Sequence, residues 1–224
     1  MNIVCLDMEG VLVPEIWIAF SQASGIPELS RTTRDEPDYD KLMAYRLAIL
    51  REHGLGLKEI QATIAKIDPL PGAREFLDEL RTLTQVVILS DTFEQFAKPL
   101  MAKLNWPALF CNTLEVGPDG GITGYKMRCE KSKLTTVKAL QSCGFDTIAA
   151  GDSFNDLAMI QAGRAGFLFK STPRSRRTTR TYPPLRSSPT CWPPSKTRCR
   201  AGPPGRRALW EHPAARPART PSSA

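Results

Sequence analysis

Thr147-Ile148-Ala149-Ala150-Gly151-Asp152-Ser153-Phe154-Asn155-Asp156 runs from a short apolar stretch straight into two acids joined by polar residues. An apolar run that stops at Gly-Asp reads as a strand buried in a sheet, and the acids behind it stand on a loop over the sheet edge. The pattern of strand followed by polar loop occurs twice upstream. Ile3 to Leu6 ends at Asp7 and Glu9, and Val86 to Leu89 ends at Ser90 and Asp91.

Helical segments fill the intervals. A helix pattern follows Pro14 through Ile16, Trp17, Ala19 and Phe20, with Pro tolerated in the first turn. Asp40 is read as the cap of a helix that carries Leu42, Met43, Leu47 and Leu50 and stops near Gly54. Lys58 to Ile67 forms another, ended by Asp68-Pro69. Ala73 to Leu83 is amphipathic, Leu134 to Ser142 is helical, and Leu157 to Ala162 begins a helix before a last strand at Gly166 to Phe169. The Gly117-Pro118-Asp119-Gly120-Gly121 turn predicts a hairpin over Val116 to Gly124. Alternating strands and helices imply an α/β fold: a Rossmann-like parallel sheet core whose ligand site lies at the carboxyl ends of the strands. The expected division is a core from 1–13 and 71–170, and a small helical cap, 14–70, inserted after the first strand.

The chain has 224 residues, 42% hydrophobic and 24% charged, which excludes collagen, coiled coil and a wholly disordered chain. No apolar run reaches the roughly 18 residues of a membrane helix, and the N-terminus lacks the zones of a secretory signal, so no membrane partner is expected. Six cysteines at 5, 111, 129, 143, 191 and 199 lack the spacing of a zinc site or disulfide framework. They are read as thiols of a cytoplasmic protein.

The net charge of +7 hides two unlike parts. Residues 1–170 hold 18 Lys plus Arg against 22 Asp plus Glu; residues 171–224 hold 12 against 1, with 11 of the 19 prolines. That Arg/Pro-rich basic tail cannot bury enough apolar surface to order itself, so disorder is expected beyond Thr172. Non-specific nucleic-acid binding through the tail is the bland functional reading. A second reading comes from codons. Whatever their third bases, the codons for Cys191-Trp192-Pro193 encode Leu-Ala when read from the third nucleotide. One back-translation of Ser188 to Arg198 gives Ala-Asp-Leu-Leu-Ala-Ala-Ile-Lys-Asp-Ala in that frame, an amphipathic helix. The tail is therefore suspected to be a frameshift product.

Parallel strands place Asp7, Glu9, Ser90, Asp91, Asp152 and Asp156 on one edge. Carboxylates gathered there repel one another unless a cation shares them, and hard oxygen donors point to Mg²⁺. A metal held by carboxylates invites phosphate. Ser90 can donate to phosphoryl oxygens, Lys133 can neutralise developing charge, and Asp7 becomes a carboxylate nucleophile.

Asp7-Met8-Glu9-Gly10-Val11-Leu12-Val13, the strand ending in Ser90, Lys133, and Gly151-Asp152-Ser153-Phe154-Asn155-Asp156 resemble, in order, the four motifs of the haloacid dehalogenase-like phosphatases. The resemblance spans residues 1 to about 170 and is nearest to the phosphoserine phosphatase branch, in particular to bacterial members that also transfer phosphate to homoserine. Cys5 to Trp17 and Ile88-Leu89-Ser90-Asp91-Thr92-Phe93 carry it. It implies that Asp7 forms an aspartyl-phosphate with Glu9 and Lys133 as catalytic partners, and that Ser90, Asp91, Lys133 and Asn155 bind phosphate. Asp7, Glu9, Asp152 and Asp156 would form the metal site. The second acid of the first motif is usually Asp; Glu9 adds a methylene, and its altered reach could favour an alcohol over water. The insertion resembles the cap of this branch, in which Arg46 would grip the carboxylate and Glu15 the ammonium of phosphoserine. Met43 and Phe20 are read as cap packing and Trp17 as core. The expected activity is O-phosphoserine hydrolysis in serine biosynthesis, with homoserine as a second acceptor. A phosphatase for another small phosphorylated metabolite and an inactive basic-tailed binding protein are the alternatives.

Overall fold

The computed structural model describes residues 1–169 together with the backbone of residues 184–185. Its strands are β1 (Asn2–Leu6), β2 (Gln85–Phe93), β3 (Ala108–Val116), β4 (Ile122–Lys126), β5 (Asp146–Gly151), β6 (Ala165–Phe169) and β7 (Pro184–Leu185). They form one sheet in the order β4-β3-β2-β1-β5-β6-β7. Every neighbouring pair is parallel except β3 and β4, the expected hairpin. β7 lies within the stretch expected to be disordered, at the sheet edge, where a proline is tolerated. The expectations for the rest of the tail concern residues outside those described.

Side chains alternate along the strands and build two cores. Val4 and Leu6 of β1 face a cluster with Leu77 of α4 (Ala73–Leu83) and Phe96 of α5 (Glu94–Lys103). Ile3 and Cys5 face the opposite cluster, with Val137 of α6 (Ser132–Ser142) and Ile160 of α7 (Leu157–Ala162). The result is a sheet covered by helices on both faces. Burial of Cys5 in the second core pushes its thiol up to about 12, so it packs as an apolar side chain. Among the described residues no helix is long and apolar enough to cross a membrane.

Between β1 and α4 lie α1 (Ile16–Ser24), a 3-10 turn at Pro27–Ser30, α2 (Tyr39–Glu52) and α3 (Leu57–Ile64). Asp38, rather than the expected Asp40, caps α2: Asp38 has extended backbone and its Oδ1 accepts from Lys41 N at 3.2 Å, while Asp40 already lies in the first turn. α3 stops at Ile64 instead of Ile67, because Lys66 N and Ile67 N bond three residues back and Asp68-Pro69 follows.

α5 and most of β3 were not among the expected elements. Pro99 inside α5 argues against a helix, since its nitrogen cannot donate to Gln95 O. The structure fills that carbonyl from elsewhere: Gln61 Nε2 of α3 donates to it at 2.8 Å, tying the insertion to the sheet layer.

Strand order reverses at β1, with β2 and β3 to one side and β5 and β6 to the other. That reversal opens a crevice beyond the carboxyl ends of β1 and β5. The acids of the sequence motifs stand there.

Candidate active site

Asp7 follows β1 directly, and its N–H donates to Ala150 O of β5 at 2.8 Å, fixing it at the crevice. Its Oδ1 accepts from Met8 N at 2.7 Å and lies 2.9 Å from Lys133 Nζ. Lys133, in the first turn of α6, also bonds Asp156 Oδ1 at 2.6 Å and lies 3.8 Å from Asp91 Oδ2. Asp156 is wholly buried, and its Oδ2 accepts from Asp152 N, Ser153 N and Ser153 Oγ at 3.0 to 3.1 Å. These bonds set the loop after β5 so that Asp7, Asp152 and Asp156 each offer an oxygen within 4.8 Å of one another.

Two glycines make the approach possible. A Cβ on Gly10, whose φ is +76°, would stand 2.4 Å from Asp152 Oδ2, and one on Gly151 would stand 2.3 Å from Asp156 Cγ. Neither position admits a side chain while the acids stay where they are.

Burial, and then the neighbouring Asp156, hold the Asp7 carboxyl well above its usual range despite Lys133. Asp152 is pushed up to about 6 by burial and by Asp156. Burial alone would favour neutral Lys133, but Asp7, Asp156 and Asp91 outweigh it and keep the ammonium charged. Three acids thus face one buried cation, a surplus of negative charge on hard oxygens. That donor set fits a divalent metal ion.

The other sheet-edge residues fall into place differently. Ser90 is buried, with its Oγ accepting from Thr92 N at 3.2 Å. The Asp91 carboxylate accepts from Ser132 Oγ and Asn155 Nδ2, each at 3.0 Å. Asp91, expected to bind phosphate, orients Ser132 and Asn155 through these bonds. Asn155 also pairs with Ser153. Glu9, expected in the metal set, lies outside the group of three acids; its Oε2 accepts from Ile16 N at 2.8 Å and anchors the start of α1. Burial and then Glu15 push Glu9 up to about 7.

Above the sheet edge, Arg46 of α2 is buried at 5% exposure. Its guanidinium lies over the Trp17 ring, 4.4 Å from the centroid, and Nη2 donates to Arg31 O at 2.6 Å. Its Nε has no partner, and no ion pair among the described residues includes it. Burial lowers this arginine to about 10. Glu15 precedes α1 and acts electrostatically on Glu9, Arg46 and Asp152, so it faces the same space. Met43 and Phe20 are core residues, as expected. Trp17 is too, yet it also floors the arginine, and nothing in its helical spacing distinguishes that role from packing. Ser132 was likewise missed, although it stands next to Lys133 in the sequence.

The haloacid dehalogenase-like hydrolase family matches residues 1–164. The chain is 54% identical over 169 residues to phosphoserine phosphatase ThrH of Pseudomonas aeruginosa, covering 75% of this chain and 82% of that protein. It is 52% identical to a phosphoserine phosphatase of Pseudomonas syringae pv. tomato, over 75% and 71% of the two chains. The fold is similar to that of a phosphoserine phosphatase solved as an analogue of its phospho-aspartyl intermediate, with TM-score 0.64 at 20% identity, over 79% of this chain and 90% of that one. Family match, close relatives and fold agree, and the chain belongs to the haloacid dehalogenase-like hydrolases.

Proposed function

We propose that this chain is a Mg²⁺-dependent phosphoserine phosphatase that works through an aspartyl-phosphate on Asp7 and can pass the phosphoryl group to homoserine. The observation that carries the reading is the Asp7–Lys133–Asp156 chain of contacts, at 2.9 and 2.6 Å, beside Asp152 at the sheet switch point. The names of the relatives at 52 to 54% identity agree with it. The insertion from 14 to 70 serves as a cap that excludes water and reads the amino acid.

Asp7, Asp152 and Asp156 would hold Mg²⁺, which supplies neutralising charge for the phosphoryl oxygens. Asp7 Oδ1 is occupied by Met8 N and Lys133, leaving Oδ2 to attack phosphorus. The bond from phosphorus to the serine oxygen breaks, and that oxygen takes a proton from Glu9. Lys133 and the Ser90 hydroxyl hold the transferred group. Water then gives a proton to Glu9 and attacks the same phosphorus; the bond to Asp7 breaks and inorganic phosphate leaves. With the homoserine hydroxyl in place of water, the product is O-phosphohomoserine. The buried guanidinium of Arg46 pairs with the substrate carboxylate and Glu15 with its ammonium. We place the enzyme in the cytoplasm, where the free thiols at Cys5, Cys111, Cys129 and Cys143 persist.

The test is phosphate release from a panel of phosphomonoesters, with Mg²⁺ or with chelator, with and without homoserine. Preferred turnover of O-phosphoserine that chelation abolishes is the expected result, with O-phosphohomoserine formed when homoserine is present. Equal turnover across the panel, or a preferred substrate without an amino-acid carboxylate, would reject the substrate assignment.

A further inference from the structure

Arg46 is not alone on its helix face. Tyr39 stands seven residues earlier on α2, and with Met43 between them the spacing puts all three along one stripe. The Tyr39 ring meets Tyr125 of β4 edge-on at 5.7 Å, which fixes the phenol where the insertion closes onto the sheet layer. Its hydroxyl makes no hydrogen bond among the described residues, and it lies near enough to Arg46, Asp91 and Glu9 for their charges to act on it. Burial raises the phenol above its ordinary range, so it stays protonated and is a donor. Arg46 Nε, buried and without a partner, and the Tyr39 hydroxyl, which makes no hydrogen bond, therefore lie on one face of α2. Buried polar groups in folded proteins nearly always have partners, and donors sharing a space want an acceptor with more than one oxygen.

We propose that Tyr39 is a specificity-determining residue whose hydroxyl donates to the substrate carboxylate beside Arg46. The inference rests on the proposed function, in which the substrate is a phosphorylated hydroxy amino acid. A guanidinium satisfies the charge of a carboxylate; the phenol adds a neutral donor that fixes its orientation. A substrate without that carboxylate leaves both donors unpaired and is disfavoured.

The test compares Tyr39→Phe with the unmodified protein on O-phosphoserine and O-phosphoethanolamine, which differ only in the carboxylate. Phenylalanine keeps the ring against Tyr125, so folding is preserved. The ratio of kcat/KM for phosphoserine to that for phosphoethanolamine should fall about tenfold, with the loss in KM rather than kcat. An unchanged ratio overturns the proposal, including the case in which both substrates suffer equally. Arg46→Lys, measured in parallel, separates the two levels. If Arg46→Lys lowers the ratio and Tyr39→Phe does not, only the role of Tyr39 falls. If neither moves it, the cap as reader of the carboxylate falls as well.

Discussion

The two halves of the site treat charge in opposite ways. At the sheet edge Lys133 has Asp7 and Asp156 within 2.9 Å, and Asp91 answers to Ser132 and Asn155. In the insertion, Arg46 is equally buried but has a backbone carbonyl, a ring face and an orphaned Nε. On the proposed function, the sheet edge holds the phosphoryl group, which every substrate shares, so its charges are set by the protein, and the insertion reads the part that varies, so its charge is completed by the ligand. Changes at the sheet edge should therefore act on kcat, and changes in the insertion on KM and substrate choice.

The largest effect tests the first half. Asp7→Asn should lower phosphate release by about 10³-fold or more, because the amide is no nucleophile, while the fold is kept. Phosphate release at a tenth of the original rate or above would break the assignment. Next comes a pair of substitutions with unequal consequences for stability. Lys133→Met strands three acids and should cost about 3–5 kcal/mol in urea unfolding of metal-free protein. Arg46→Met removes a buried charge that no acid pairs with directly, although Glu9 and Glu15 lie near it, and it should cost far less stability than Lys133→Met. Both should impair phosphoserine turnover. Equal losses of stability would erase the distinction between the halves.

The same division governs what the amino-acid sequence reveals. Asp7 and Asp152 stand just beyond strand ends and Lys133 in a helix's first turn, and Ser90, expected at the end of its strand, lies where the β2–β3 register shifts after Leu89, in a β2 that runs on to Phe93; parallel pairing brings such positions together whatever the details of packing. The parallel sheet and the shared edge are legible for that reason, while the strand order is not. Glu9 shows the limit: one residue beyond Met8 its carboxylate turns to the N–H of Ile16, a contact set by where α1 begins. Trp17 and Tyr39 carry no local mark that separates a ligand-facing ring from a packed one. α5 carries no plain signal either, since Pro99 inside it leaves Gln95 O to be filled by a glutamine of α3, 34 residues away.

Metal binding should sharpen the sheet-edge half with a pH dependence. Asp152 lies at about 6 in the folded protein, above its ordinary 3.8, and Glu9 at about 7, above 4.5. Acids raised in this way favour the folded state below their unfolded values, and that contribution is lost as pH rises through 6 to 7. Mg²⁺ competes with the protons on Asp7 and Asp152 at the cluster, while Glu9 lies outside it. The rise in Tm on adding Mg²⁺ should thus be larger at pH 8 than at pH 5. A rise independent of pH would show that the ion does not sit on these carboxylates.

The smallest effect concerns how the insertion is held down. Tyr125 of β4 donates its hydroxyl to Asp40 of α2, Leu57 N donates to Gly120 O of the hairpin at 2.8 Å, and Lys103 of α5 donates to Ile67 O at 2.8 Å. The first of these ties adjoins the Tyr39–Tyr125 ring contact, in which Tyr125 also meets Phe93 of β2. Because the Tyr125–Asp40 bond is exposed, water replaces it easily, and Tyr125→Phe should raise KM for phosphoserine by no more than about threefold. Lost together with Tyr39→Phe, the two hydroxyls should act additively, since one holds α2 in place and the other meets the ligand. A double variant much worse than the product of the single effects would mean that Tyr125 positions Tyr39, which would join the two halves of the site through a pair of rings.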